Sequence, residues 1–216
     1  LYSHFMSPGT AKPKANRTQL RARQTRRRLQ QAALDVFTEK GVEAATVEDI
    51  TKKADLGKGT LYRHFSDKDE ILVTLVDEAV DHLIQLLTAN ADAMQTLEDV
   101  LEHYLTAHYE FFNENTEEFI LLFQGRVLLK LQSEAPGDLE DPYIRYLETI
   151  GRQVAPHLSP RIDPVKIRRL ACAVAGFIFG FFSFAMIGME PAEIETSIKP
   201  LRKAFVRSLC TFLGRE

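Results

Sequence analysis

Apolar residues recur every three to four positions along most of this chain, the spacing of one helix face, and no stretch alternates as a strand would. Leu29, Ala33, Val36 and Phe37 form the first stripe, and Gly41 stands where a left-handed residue would stop that helix. Thr46 and Asp49 have the spacing of a capping box, so a second helix opens there with Val47, Ile50 and Ala54 on one face. Asp55-Leu56-Gly57 breaks it. Residues 58–65 begin a third helix, Leu61 and Phe65 facing inward one turn apart. Ser66 and Asp69 make another capping box, opening a long helix through Ile71, Leu72, Leu75 and Val76 to about residue 89. Asp67, Asp69 and Glu70 suit the positive end of its dipole.

The same period predicts further helices over 96–113, 116–132 and 142–154. Loops are expected over 134–141, around Pro136-Gly137, and across Pro156, Pro160 and Pro164. Asp163 then caps a long apolar helix with Pro164 at its first position. A last helix runs over 192–213, with Pro200 in its first turn or at a kink. The expected fold class is all-α: a helix-turn-helix domain over 24–69, preceded by an arm over 1–23 and followed by a larger helical domain over 70–216.

Charge separates the two ends. Residues 1–66 carry 13 Lys and Arg against 6 Asp and Glu, whereas residues 67–216 carry 14 against 24. A basic head on an acidic body means that only the head suits nucleic acid. The outward residues of the third helix, Lys58, Thr60, Tyr62, Arg63 and His64, add donors and cations fit for a major groove and its phosphates. Residues 1–5 precede Met6 and read as a cloning remnant. Residues 7–23 lack an apolar period and are expected to be disordered without DNA, with Arg17, Arg21 and Arg23 either entering a minor groove or simply solubilising a tail. Cys172 and Cys210 sit in apolar runs and read as reduced, buried thiols of a cytoplasmic protein.

Residues 25–80 resemble the DNA-binding domain of the tetracycline-repressor (TetR/AcrR) family of bacterial regulators. The run Gly59-Thr60-Leu61-Tyr62-Arg63-His64-Phe65-Ser66-Asp67-Lys68 carries most of the likeness. Two positions depart from the family pattern: Asp55 stands where glycine is usual, and Gly57 where a serine cap is usual. Asp tolerates the left-handed turn, and Gly caps without a side-chain oxygen. The resemblance implies a homodimer that binds a double-stranded DNA operator. Thr46, Tyr62, His64 and Lys68 would hold phosphates, Lys58, Gly59 and Thr60 would approach base edges, and Arg63 would lie beside them. It also implies that the last two helices build the dimer.

Residues 170–189 carry no charge and would span a bilayer by length. The alternative, favoured by the Ala, Gly, Ser and Cys content and the Glu190-Pro191 stop, is a helix buried on every side in a soluble domain, with no membrane partner. Ala173, Gly176, Gly180 and Ser183 form a small-residue stripe suited to close helix approach.

Enzyme chemistry has no support in the sequence. His103 and His108 diverge on a helix and cannot share a metal, and no nucleophile motif or phosphate loop occurs. No cofactor or metal is expected. Arg126 stands alone in an apolar run, so it either lies on a thin polar side near Lys130 or anchors a polar ligand head. An apolar or amphipathic effector is expected in a chamber lined by some of Tyr104, His108, Phe111, Phe112, Phe119, Phe123, Arg126, Tyr146, Phe177 and Phe181. The rival readings are a regulator with a filled core and no effector, and a membrane-tethered regulator.

Overall fold

A computed structural model describes residues 17–90, 93–131, 137–158 and 162–213, and among these it shows nine α-helices and no strand. α1 (Arg17–Lys40) packs on α2 (Val47–Lys53), which leads by a tight turn to the short α3 (Lys58–Leu61). α4 (Lys68–Thr88) leaves this head and enters the body. There α5 (Leu97–Glu114), α6 (Thr116–Leu131) and α7 (Glu140–Val154) pack against it. α8 (Pro164–Gly188) lies on α7, and α9 (Pro191–Leu213) lies on α5.

Local chemistry sets most helix ends as expected. Thr46 and Asp49 form a complete capping box for α2, and Thr96 and Asp99 form another for α5. Asp163 accepts from the Val165 amide to open α8. Gly41 ends α1 at φ 84°, and Asp55 takes the left-handed turn at φ 49°. The box of α4 is displaced by one residue from the expected Ser66 and Asp69. Asp67 is the cap, accepting from the Glu70 amide, while the Glu70 carboxylate accepts from the Ser66 amide at 2.7 Å.

Three further expectations change. Residues 17–23 are helical and not a disordered arm, while residues 1–16 lie outside the described residues. Pro200 stands inside α9, beyond its first turn. α8 is not buried on every side. Leu170, Val174, Ile178, Phe179 and Phe182 face the body, whereas Cys172, Ala173, Gly176, Phe184 and Ile187 are exposed, the last two at 77% and 83%. By length and composition Pro164–Ala185 is apolar enough to cross a membrane, yet one of its faces is part of this helical core.

The body core is a run of aromatic contacts. Phe112 stacks on Phe182 with ring centroids 4.4 Å apart, Phe119 stacks on Phe179 at 5.1 Å, and Phe111 meets the edge of His82 at 5.5 Å. Each of these buried Phe rings contributes roughly 1.5–3 kcal/mol by burial alone. Phe177 stacks on Phe205 at 4.0 Å and pins α8 to α9. Arg202 ties α9 to α5 through Thr106 and Glu102.

Candidate nucleic-acid interface and body cavity

The head presents α3 on a short, well-held support. Leu61 and Phe65 are buried beneath it, with Arg26 4.0 Å above the Phe65 ring and donating to the His64 carbonyl at 2.7 Å. What remains outside is Lys58, Gly59, Tyr62 and Arg63, with Thr60 and His64 half-buried at the edges. Tyr62 is 56% exposed, large for an aromatic ring. A Cβ at Gly59 would meet nothing within 4 Å, so the backbone there is open to close approach. Arg63 donates to the Thr60 hydroxyl at 3.1 Å, and Lys58 pairs with Glu48. Both are exposed contacts that a phosphate can replace. The regular helix stops at Leu61, with turns carrying the chain on to His64, so α3 is shorter than the 58–65 helix read from spacing. Gly57 caps α3 without a side-chain hydrogen bond.

Two expected phosphate ligands are engaged inside the head. The Lys68 ammonium donates to the carbonyls of Val42 at 2.9 Å, Glu43 at 3.2 Å and Ala45 at 2.9 Å, using all three of its protons. It staples the α1–α2 loop to the start of α4 instead of standing free. The Thr46 hydroxyl donates to Asp49 Oδ2 at 2.8 Å and accepts the Asp49 amide, so its one donor belongs to the cap. Lys40, 2.6 Å from Asp49, together with Thr46, holds that carboxyl below its ordinary range.

In the body, a cavity of about 250 Å³ opens between α6, α7 and α8. Leu122, Arg126, Tyr143, Ile144, Tyr146, Leu147, Ala175 and Phe179 line it, with Glu140 at one side. Arg126 therefore faces this cavity. Its guanidinium lies 5.3 Å from the Phe123 ring and 5.2 Å from the Phe179 ring, and it has no carboxylate partner among the described residues. Tyr146 is the second expected residue on this wall. Its hydroxyl meets His108 Nε2 at 2.7 Å, and His108 Nδ1 meets the Tyr104 carbonyl at 2.6 Å. A carbonyl only accepts, so Nδ1 carries the proton and Nε2 accepts from Tyr146. Burial lowers the His108 pKa to about 4, keeping the ring neutral.

The other expected lining residues lie elsewhere. Tyr104 is fully buried and donates to Gln153 at 2.6 Å. Phe111, Phe112 and Phe119 belong to the packed aromatic core, and Phe177 and Phe181 lie toward α9 and Phe182. Phe123, with Gln124, Val127 and Leu128, borders a separate hollow against Gly41, Val42 and Ala44 of the head. The wall residues of α7, Tyr143, Ile144 and Leu147, were absent from the sequence expectation. The spacing of Tyr143 and Leu147 with Tyr146 and Ile150 marks an inward face, whereas Ile144 is exposed, and nothing local says what the inward face meets. Tyr143 donates to the Leu122 carbonyl at 2.7 Å, and its oxygen sits against Gly125, where a Cβ would be only 2.6 Å away.

Comparison with known proteins places this architecture. The family model described as bacterial regulatory proteins, tetR family, matches residues 29–75, from the middle of α1 into α4. IcaR of Staphylococcus epidermidis, named as the biofilm operon icaADBC negative transcriptional regulator, is 29% identical over 135 residues, 62% of this chain and 68% of its own length. In other curated relatives the matched stretch spans as little as 23% and as much as 70% of their own length. Among solved structures, the TetR family regulator PfmR of Thermus thermophilus is 25% identical with a TM-score of 0.61, covering 84% of this chain and 94% of its own. The fold is also shared with FadR of Bacillus subtilis, solved in complex with stearoyl-CoA, at a TM-score of 0.70 and 17% identity over 83% and 97% of the two chains.

Proposed function

We propose, from the premise that the chain belongs to the tetR family of bacterial regulatory proteins, that it is a dimeric transcriptional repressor released from its operator by a small amphipathic molecule. The observation that carries the DNA-binding half is the open face of α3. Lys58, Gly59 and Thr60 lie where base edges would approach, and Tyr62, Arg63 and His64 lie where phosphates would. Thr46 and Lys68 serve that face by fixing the start of α2 and the α1–α2 loop. The exposed strip of α8, with Phe184 and Ile187, together with α9, is the surface on which a second copy would pack. A two-fold pair of heads reads a palindromic site.

The cavity supports the effector half. A guanidinium without a carboxylate partner among the described residues, in a mostly apolar wall with Tyr143, Tyr146 and, at one side, Glu140, suits a ligand with an apolar body and an anionic head directed at Arg126. Its volume of about 250 Å³ suits a ring system or a short acyl chain rather than a long one. Coupling requires that such a ligand distinguish the free from the DNA-bound state.

The test has two arms. Tyr62→Ala should weaken binding to the duplex that the wild-type chain enriches from a random pool; unchanged affinity would remove α3 as the reader. Calorimetry with carboxylates, acyl-CoAs and aromatic acids, with and without that duplex, should give a ligand whose affinity differs between the two states and falls in Arg126→Met. Equal affinity in both states would remove it as an effector.

A further inference from the structure

We propose that the exposed leading turns of α1 are a second DNA contact. Arg17 and Arg21, in line with Arg28, would grip the phosphates flanking the site read by α3, and these turns, already helical without DNA, would be further stabilised by it. The proposal rests on the reading of α3 as the DNA-facing element.

Residues 17–24 are all exposed, and the first buried residue of α1 is Leu29. Residues 17–28 read RTQLRARQTRRR, with six arginines and no acid. Two features of this stretch weaken a free-standing helix. Arg17 and Arg21 form a like-charged pair one turn apart, as do Arg23 and Arg27. No tertiary burial offsets the cost of nucleation. Arg, Gln and Ala are nonetheless strong helix formers, so the backbone preference is present and only a counter-charge is missing. A row of phosphates supplies it and cancels the like-charge repulsion.

Placement identifies which anion. At 100° per residue, Arg17, Arg21 and Arg28 leave the helix within about 40° of one another. Arg28 meets Asp55 at 3.3 Å, and Asp55 stands two residues before the Gly57 cap of α3. Arg26 holds the turn that follows α3 through the His64 carbonyl. The arginine stripe thus rises beside the reading helix and continues past it. Eight exposed residues at 1.5 Å each extend it by about 12 Å. B-DNA rises 3.4 Å per base pair, so that length follows three to four base pairs of flanking backbone. Among the described residues, Arg17, Arg21 and Arg23 have no carboxylate partner.

The experiment uses the full chain and a mixed-sequence 40-base-pair duplex, with affinity measured from 50 to 200 mM KCl. Each lost phosphate contact flattens the plot of log affinity against log salt by about 0.9. Arg17→Gln/Arg21→Gln should flatten it by about two per bound protomer, and Arg17→Lys/Arg21→Lys should restore it. Arg23→Gln, pointing about 140° away from the stripe, should change it by less than half a unit. Amide exchange over residues 17–24 should slow markedly when the duplex is added. A slope unchanged in Arg17→Gln/Arg21→Gln while Tyr62→Ala still weakens binding would overturn the proposal and leave α3 as the reader. Equal exchange with and without DNA would overturn the stabilisation. A wild-type chain that binds no duplex would overturn both readings.

Discussion

Gly125 is the position where one added methyl group should do most harm. An alanine Cβ there would lie 2.6 Å from Tyr143 Oη and 3.4 Å from Val76 Cγ2. The first distance is about 0.8 Å short of an ordinary contact, and the phenol cannot swing freely because it donates to the Leu122 carbonyl at 2.7 Å. Overfilling of a packed site costs about 1–3 kcal/mol. Loss of the Tyr143 hydrogen bond adds about 1 kcal/mol. Alanine's better helix propensity returns about 1 kcal/mol. The net expectation is destabilisation by about 1–3 kcal/mol, a fall in Tm of roughly 3–10 °C for a chain of this size. Thermal melts of Gly125→Ala alone and in a Tyr143→Phe background separate the terms. Removing the phenol oxygen should relieve much of the clash, so the second alanine substitution should cost about 1 kcal/mol less than the first. A Gly125→Ala chain that melts at or above wild type, or an equal cost in both backgrounds, would refute the reasoning.

Three further outcomes are expected. Because burial lowers the His108 pKa to about 4, its stabilisation is complete above the unfolded value near 6.5 and is lost as pH falls through the window down to about 4. Urea midpoints should show a loss of about 2 kcal/mol between pH 6.5 and 5, and His108→Gln should flatten that stretch of the curve. Lys68→Met should destabilise the head by about 1–3 kcal/mol, since three carbonyls lose a charged donor; the DNA salt slope should stay the same if the ammonium remains on those carbonyls. Gly59→Ala should raise the melting temperature slightly, because helix propensity improves and no atom lies near the new methyl, yet weaken DNA affinity by filling the approach to the backbone.

Local grammar made the head legible. The Thr46–Asp49 box, the left-handed Asp55 and Gly41, and the inward pair Leu61 and Phe65 all depend on neighbours a few residues away. The Asp67 cap was ambiguous because Ser66–Asp69 and Asp67–Glu70 are overlapping frames of the same signal. The helix over 17–23 is hidden in the sequence because apolar period and intrinsic propensity disagree there: Arg, Gln and Ala favour a helix that no apolar stripe marks. In the body, sequence spacing identified aromatic faces but not their partners. Phe112 and Phe119 face inward as expected, yet rings of α8 meet them and leave no space, while the opening falls one helix away beside Tyr143 and Leu147. The three protons of Lys68 were equally unreadable, since the carbonyls they reach are 23 to 26 residues distant.

The unbroken course of α4 has a consequence for how two heads would share one DNA. Its first residue is stapled to the α1–α2 loop, Glu78 accepts from Gln30 of α1 at 2.8 Å, and the same helix continues to Thr88 in the core of the body. Nothing between head and body resembles a tether. The distance between paired heads is therefore a ruler rather than a string. Adding one base pair between half-sites turns one of them by roughly 35° about the DNA axis, and no slack segment is present to follow it. The mismatch must be met by the surface joining the two copies or by twisting the DNA, so operator spacing should be tolerated far less than substitutions within a half-site.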